Sequence, residues 1–197
     1  MTVAEAIKSE TITPPPRTKE RHADAYQNAP DDLRFEIVDG VVVEKTMSAY
    51  EVWIASHIHQ FLAHHCREND LGRAVIEMMF EIPGRPNDRK PDVAFVSYDL
   101  WPRDRRVPSV NAWDVIPELV VEVVSPHDAM FKVLAKVNEY FEAGVKVVWL
   151  IVSNVEAAYV YTSPTAVTIT GRDGELTGSE VVPGFRLALA ELFPREA

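Results

Sequence analysis

Leu119-Val120-Val121-Glu122-Val123-Val124, followed by Ser125-Pro126, is the stretch that decides the fold. A near-continuous apolar run of six residues reads as a strand covered on both faces. Ser125 with Pro126 then offers an N-cap and the proline favoured at a first helical position. The stripe Met130, Val133, Leu134, Val137 and Tyr140/Phe141 predicts a helix running to Ala143, with Gly144 as its C-terminal stop. Val145 to Val152 is a second buried strand. Strand, helix, strand over 118–152 predicts a right-handed parallel crossover at the centre of a mixed sheet.

Outward from this unit, Phe35-Glu36-Ile37-Val38-Asp39-Gly40-Val41-Val42-Val43-Glu44 sets an Asp-Gly pair between two short runs and predicts a hairpin. Ile54, Ile58, Phe61 and Leu62 recur at helical spacing within 50–69, and Leu71-Gly72 closes that pattern. Residues 74–82 read as one strand, 83–88 as a turn, 93–96 as a short buried strand and 98–116 as a wet loop. Strands at 156–162 and 165–170 begin a β-rich tail that ends in the apolar stretch Leu187–Phe193. Residues 1–30, with Pro14, Pro15 and Pro16, read as a flexible arm, and 31–197 as one α/β domain with a mixed α+β sheet.

Composition narrows the function classes. The 197 residues are 47% hydrophobic and 25% charged, which is globular, and a chain of this size buries enough surface to need no staple. Cys66 is the sole cysteine, so neither an internal disulfide nor a cysteine-based zinc site is available. The absence of a signal-like or membrane-spanning apolar run leads us to expect a soluble, cytoplasmic protein without membrane contact. Thirty acids against 20 bases give a formal charge of −10, which repels a phosphate backbone at long range unless basic residues gather locally. Arg85, Arg89, Lys90, Arg103, Arg105 and Arg106 could form such a rim, or be solvated loop charges.

Glu122 is the most informative single residue, because a carboxylate inside a run of Leu and Val demands compensation. A structural ion pair, a strand end reaching solvent, a metal ion or a lysine would each supply it. Asp92 follows Pro91 at the entrance of the 93–96 strand, where turn chemistry alone explains an aspartate. Lys136 borders the buried stripe of the second helix, as a snorkelling lysine also would. Glu51 lies in the first turn of the long helix, where attraction to the helix dipole is sufficient reason for an acid. Glu77, among Ile76, Met78 and Met79, is a lesser candidate. His57, His59, His64 and His65 lack the i, i+4 spacing of a zinc site on one helix, and no P-loop or GxSxG elbow occurs.

Taken in order, the hairpin 35–40, Lys90-Pro91-Asp92-Val93-Ala94-Phe95-Val96, Pro117-Glu118 through Ser125-Pro126, Lys136-Val137-Asn138-Glu139-Tyr140, Ala143-Gly144-Val145, Val148-Trp149-Leu150-Ile151, Val182-Pro183-Gly184-Phe185 and Leu192-Phe193 resemble the Uma2 family, also known as domain of unknown function 820. The resemblance spans roughly residues 31–194 and implies a restriction endonuclease-like core of the PD-(D/E)XK superfamily. It makes Asp92 and Glu122 the acids that bind Mg²⁺ or Mn²⁺, and Lys136 the catalytic lysine. Val124 stands where that lysine usually follows the second acid, and Ser153-Asn154 replaces the family's Asp-Pro. Glu51 would be an accessory catalytic carboxylate. The implied activity is metal-dependent endonucleolytic hydrolysis of DNA, with a homodimer left open. The competing expectation is a non-catalytic nucleic-acid- or protein-binding module that keeps the nuclease fold.

Overall fold

The computed structural model describes residues 22–29 and 34–195. Most of the expected N-terminal arm lies outside these residues. The described part of it contains a short helix, α1 (Ala23–Asn28). Its Tyr26 hydroxyl donates to Asp88 Oδ2 at 2.7 Å, and its ring lies 5.9 Å from that of Phe35, which ties the helix to the domain.

The hairpin forms as expected from β1 (Phe35–Val38) and β2 (Val41–Glu44), with Val38 opposite Val41. Asp39 and Gly40 both have positive φ, 51° and 77°, the requirement of a two-residue type I′ connection. Helix α2 (Ala49–Glu68) follows, buried along Ile54, Ile58 and Leu62. Next come β3 (Gly72–Ile76), β4 (Phe80–Ile82), β5 (Asn87–Arg89) and β6 (Val93–Ser97).

The single strand expected over 74–82 is two strands in different sheets. β3 pairs with β6 as far as Ile76↔Val93, and β4 pairs with β5, within the segment expected to be a turn. The break is at Glu77, which adopts φ 53° and donates its N–H to the Asp92 carbonyl at 3.2 Å. A left-handed residue reverses the chain locally, which no apolar pattern reveals. The 98–116 loop is also drier than expected. Trp101 and Trp113 are buried, packed edge to face at 5.1 Å, and Arg73 Nη1 donates to the Trp101 carbonyl at 2.9 Å.

β7 (Leu119–Val124), α3 (Met130–Ala143) and β8 (Val147–Val152) make the expected parallel unit. The helix starts later than Ser125-Pro126 suggests. Ser125 and Asp128 instead close a turn, Asp128 N–H on the Ser125 carbonyl at 3.0 Å and Ser125 N–H on Asp128 Oδ2 at 2.8 Å, and Ala129 is the N-cap. Gly144 ends α3 with φ 106°, as its position predicts. The tail comprises β9 (Ala157–Ser163), β10 (Ala166–Gly171), β11 (Glu175–Thr177), β12 (Arg186–Ala188) and α4 (Leu189–Leu192).

The central sheet has the order β10-β9-β8-β7-β6-β3, with β7 and β8 parallel. A four-stranded antiparallel sheet, β2-β1-β5-β4, and the pair β11-β12 complete the fold. Side-chain alternation divides the core in two. Val121, Val123, Trp149 and Ile151 pack with Ile54, Ile58 and Leu62 of α2, whereas Val120, Val124, Val148 and Leu150 pack with Val137 and Tyr140 of α3. Even-numbered residues of β7 therefore face α3. Among the described residues, no helix is long and apolar enough to cross a membrane.

Candidate metal centre

β6 and β7 run antiparallel with Val93 opposite Val121 and Ala94 opposite Val120. One further step of that register sets Asp92 beside Glu122, and both share the α3 face with Ala94 and Val120. The recorded ladder ends at Val93, and the Asp92 carboxylate extends it: Oδ2 accepts the Val123 N–H at 2.6 Å. Asp92 is fully buried and Glu122 nearly so.

Glu122 is compensated from both sides. Its Oε1 accepts from the Tyr140 hydroxyl at 2.6 Å and lies 2.8 Å from Lys136 Nζ, both from α3 and one helical turn apart. Lys136 Nζ also lies 2.7 Å from Glu36 Oε1 of β1. Lys136 thus does reach the neighbourhood of the second acid from the helix, while Val124 packs in the core beside α3. Glu51 does not join this cluster. Its Oε2 accepts the Ser48 N–H at 2.6 Å while Ser48 Oγ accepts the Glu51 N–H at 3.3 Å, a complete capping box. The structure thus places the carboxylate expected to be accessory in a helix cap, because a first-turn acid has this backbone donor within reach. Glu77 pairs with Lys90 at 3.5 Å and Arg34 at 3.8 Å and belongs to the strand break.

Two residues of this network escape sequence reading. Lys45, just after β2, puts Nζ 2.6 Å from Asp92 Oδ1, 2.7 Å from the Lys90 carbonyl and 3.4 Å from Glu122 Oε2. Nothing in the sequence distinguishes it from a surface lysine at a hairpin end. Glu36 carried a usable signal, being an acid within Phe35-Glu36-Ile37-Val38 just as Glu122 is within its own strand. It accepts from the Lys90 N–H at 2.9 Å and from Arg89 Nη1 at 3.1 Å, and Arg89 is in turn held by Glu139 of α3 through Nε at 3.0 Å.

The electrostatics follow from burial and from these contacts. Burial works against ionised Glu36, but Lys136, then Lys45 and Arg89, overcome it and lower its pKa to about 2. Burial raises Asp92 to about 6; Lys45 resists the rise and Glu122 adds to it. Burial opposes the Lys45 charge, yet Glu122, Asp92 and Glu36 carry its pKa above the ordinary lysine value. Burial first, then Glu122, pushes the Tyr140 hydroxyl well above its usual value, so it remains a donor.

The donor set suits a hard divalent cation. Asp92 Oδ2 and Glu122 Oε1 are each fixed by protein donors, which leaves Asp92 Oδ1 and Glu122 Oε2 turned to one point beside the Lys90 carbonyl. Asp92 Oδ1 is buried and has charge contact with Lys45 but no well-directed hydrogen bond. No group of three or more His, Cys, Asp or Glu side chains is placed for a metal among the described residues. Two carboxylates with the rest of the shell left to carbonyl and water match the habit of Mg²⁺, which keeps several waters. The basic rim is largely committed elsewhere: Arg85 to Glu142, Arg89 to Glu36 and Glu139, Lys90 to Glu77, Arg103 to Asp70, and Arg105 over the Trp101 ring.

The family model Uma2, described as "putative restriction endonuclease", matches residues 22–190, and the chain belongs to that family. A crystal structure of a "putative nuclease belonging to DUF820" from Anabaena variabilis superposes with a TM-score of 0.73 at 19% identity, covering 86% of this chain and 96% of that one. That likeness establishes the shared fold. A search of curated proteins finds no match.

Proposed function

We propose that the protein is a Mg²⁺- or Mn²⁺-dependent endonuclease that hydrolyses phosphodiester bonds in DNA. The observation that carries this reading is the pairing of Asp92 and Glu122 on neighbouring strands, each with one oxygen locked and the other turned to a common point. Asp92, Glu122 and the Lys90 carbonyl would hold the ion. When bound, such an ion lowers the pKa of a coordinated water and offsets charge on the scissile phosphate. The chain's own contribution is orientation: Val123 N–H fixes Asp92, and Tyr140 with Lys136 fixes Glu122. Lys136 also brings a positive charge beside the acids, where an anionic transition state needs it. Glu36 keeps that ammonium in place.

The alternative, a binding module that retains the fold, draws support from the −10 charge and from the pairing of the loop arginines with acids, which leaves little free positive charge for a phosphate backbone. Supercoiled and linear DNA incubated with the full chain decides between them. Cleavage is expected in Mg²⁺ or Mn²⁺ and not in EDTA, abolished in Asp92→Asn and Glu122→Gln, and reduced about 10²-fold or more in Lys136→Ala. DNA binding without cleavage by the folded wild type would favour the binding module.

A further inference from the structure

Lys45 sits where a cation is expected, and its surroundings on the two sides differ. Its ammonium contacts Asp92 Oδ1 at 2.6 Å, the Lys90 carbonyl at 2.7 Å and Glu122 Oε2 at 3.4 Å, the same three oxygens that a divalent ion would use. The remaining oxygens of both acids are already taken, by Val123 N–H on Asp92 and by Tyr140 and Lys136 on Glu122. Resting on the metal-dependent reading above, we propose that the Lys45 ammonium is a built-in occupant of the metal position, and that a divalent ion enters only by displacing it.

Several features make that exchange feasible without rearranging the sheet. Two cations cannot share one set of three oxygens, because the second would face the first at contact distance in a buried site. Lys45 is anchored by its backbone, its N–H on the Arg34 carbonyl at 2.8 Å, while its neighbours Glu44 and Thr46 are exposed. The Lys45 side chain itself keeps 14% of its surface in contact with solvent, so its flexible four-carbon stem can carry the ammonium outward by rotation alone. Lys136 is built differently. It touches the opposite oxygen of Glu122 and is gripped by Glu36, so it keeps its place when Lys45 leaves. The two lysines thus divide the work: one remains to support the acids, and the other holds the cation position until an ion arrives. Metal affinity in the absence of nucleic acid is then set by competition with a tethered cation.

Two measurements on the full chain, with no nucleic acid present, test this. In Mn²⁺ titrations followed by the electron paramagnetic resonance of the free ion, Lys45→Met should bind at least about tenfold more tightly than wild type, and adding Asp92→Asn should remove the gain. In wild type, reductive methylation read by mass spectrometry should leave Lys45 protected without metal and label it at saturating Mg²⁺, with Lys136 slow in both. The labelling result decides the matter if Lys45→Met fails to fold. Metal binding by wild type with Lys45 still protected overturns the exchange and leaves the metal site standing, as does equal affinity in wild type and a folded Lys45→Met. No binding by either folded protein at millimolar ion overturns the exchange together with the metal-dependent reading beneath it.

Discussion

Glu36→Gln removes one arm of the buried charge network, the carboxylate shared by Lys136 and Arg89. Gln has the shape of the protonated acid, so the substitution removes the ionised state and little volume. The native pKa of about 2 stands against 4.5 for an unperturbed glutamate. Each unit is worth about 1.4 kcal/mol, so ionised Glu36 contributes roughly 3 kcal/mol at neutral pH. The native pKa is depressed, so this contribution is fully present above 4.5 and is lost as pH falls through about 2. By linkage it should have dropped to roughly 1 kcal/mol at pH 3. The contacts with Lys136 and Arg89 are already contained in that figure, since they are what depresses the pKa. Urea unfolding of wild type and variant at pH 7 and pH 3, followed by tryptophan fluorescence, reads both values. A deficit below about 1 kcal/mol at pH 7, or the same deficit at both pH values, would refute this account of the network.

Two further outcomes follow from local geometry. Ser48→Ala and Glu51→Ala should each lower stability by about 1 kcal/mol in thermal or urea unfolding, since each opens the capping box of α2; Glu51→Gln, whose amide oxygen can still accept the Ser48 N–H, should keep wild-type stability, and its loss of DNA cleavage would return Glu51 to the catalytic set. Gly72→Ala should cost about 1–3 kcal/mol, because a Cβ there would meet the Val96 carbonyl oxygen at 2.4 Å and Ser97 Cα at 2.7 Å on the paired strand. Wild-type stability in that variant would mean that β3 and β6 separate more easily than their register suggests.

Local patterns settle the elements whose signal is carried by neighbours in the chain. Six consecutive apolar positions specify β7, the Asp39-Gly40 pair specifies the hairpin, and 3.6-residue periodicity specifies α2 and α3, because in each case the determining interactions lie within one or two turns or a single ladder. Glu122 announces itself for the same reason: an acid in an apolar strand requires a partner whatever the fold. The boundaries that depend on tertiary contacts do not announce themselves. The 74–82 segment has the composition of one strand, and only the competing pairings of β3 with β6 and β4 with β5 divide it at Glu77. Ser125-Pro126 looks like a helix start, yet Asp128 bonding back to Ser125 delays α3 until Met130.

The sequence by itself determined the mixed α/β core, the parallel unit at its centre and the need of Glu122 for a partner, while Asp92 and Lys136 stood out only through the family resemblance. Tertiary structure alone decided the rest of the network. Glu36, Lys45, Asp92, Glu122 and Lys136 lie on four strands or strand ends and one helix, separated by up to 100 residues in the chain. What brings Lys45 against Asp92 is the folding of the hairpin sheet over the α3 face of the central sheet, where burial strengthens each charge contact and removes the water that would otherwise satisfy it. In sequence the glutamate in the first turn of α2 draws attention and the lysine at the hairpin end does not. Their fates are opposite because the Glu51 carboxylate has a partner three residues away, whereas the Lys45 ammonium finds its partners only once distant strands have assembled.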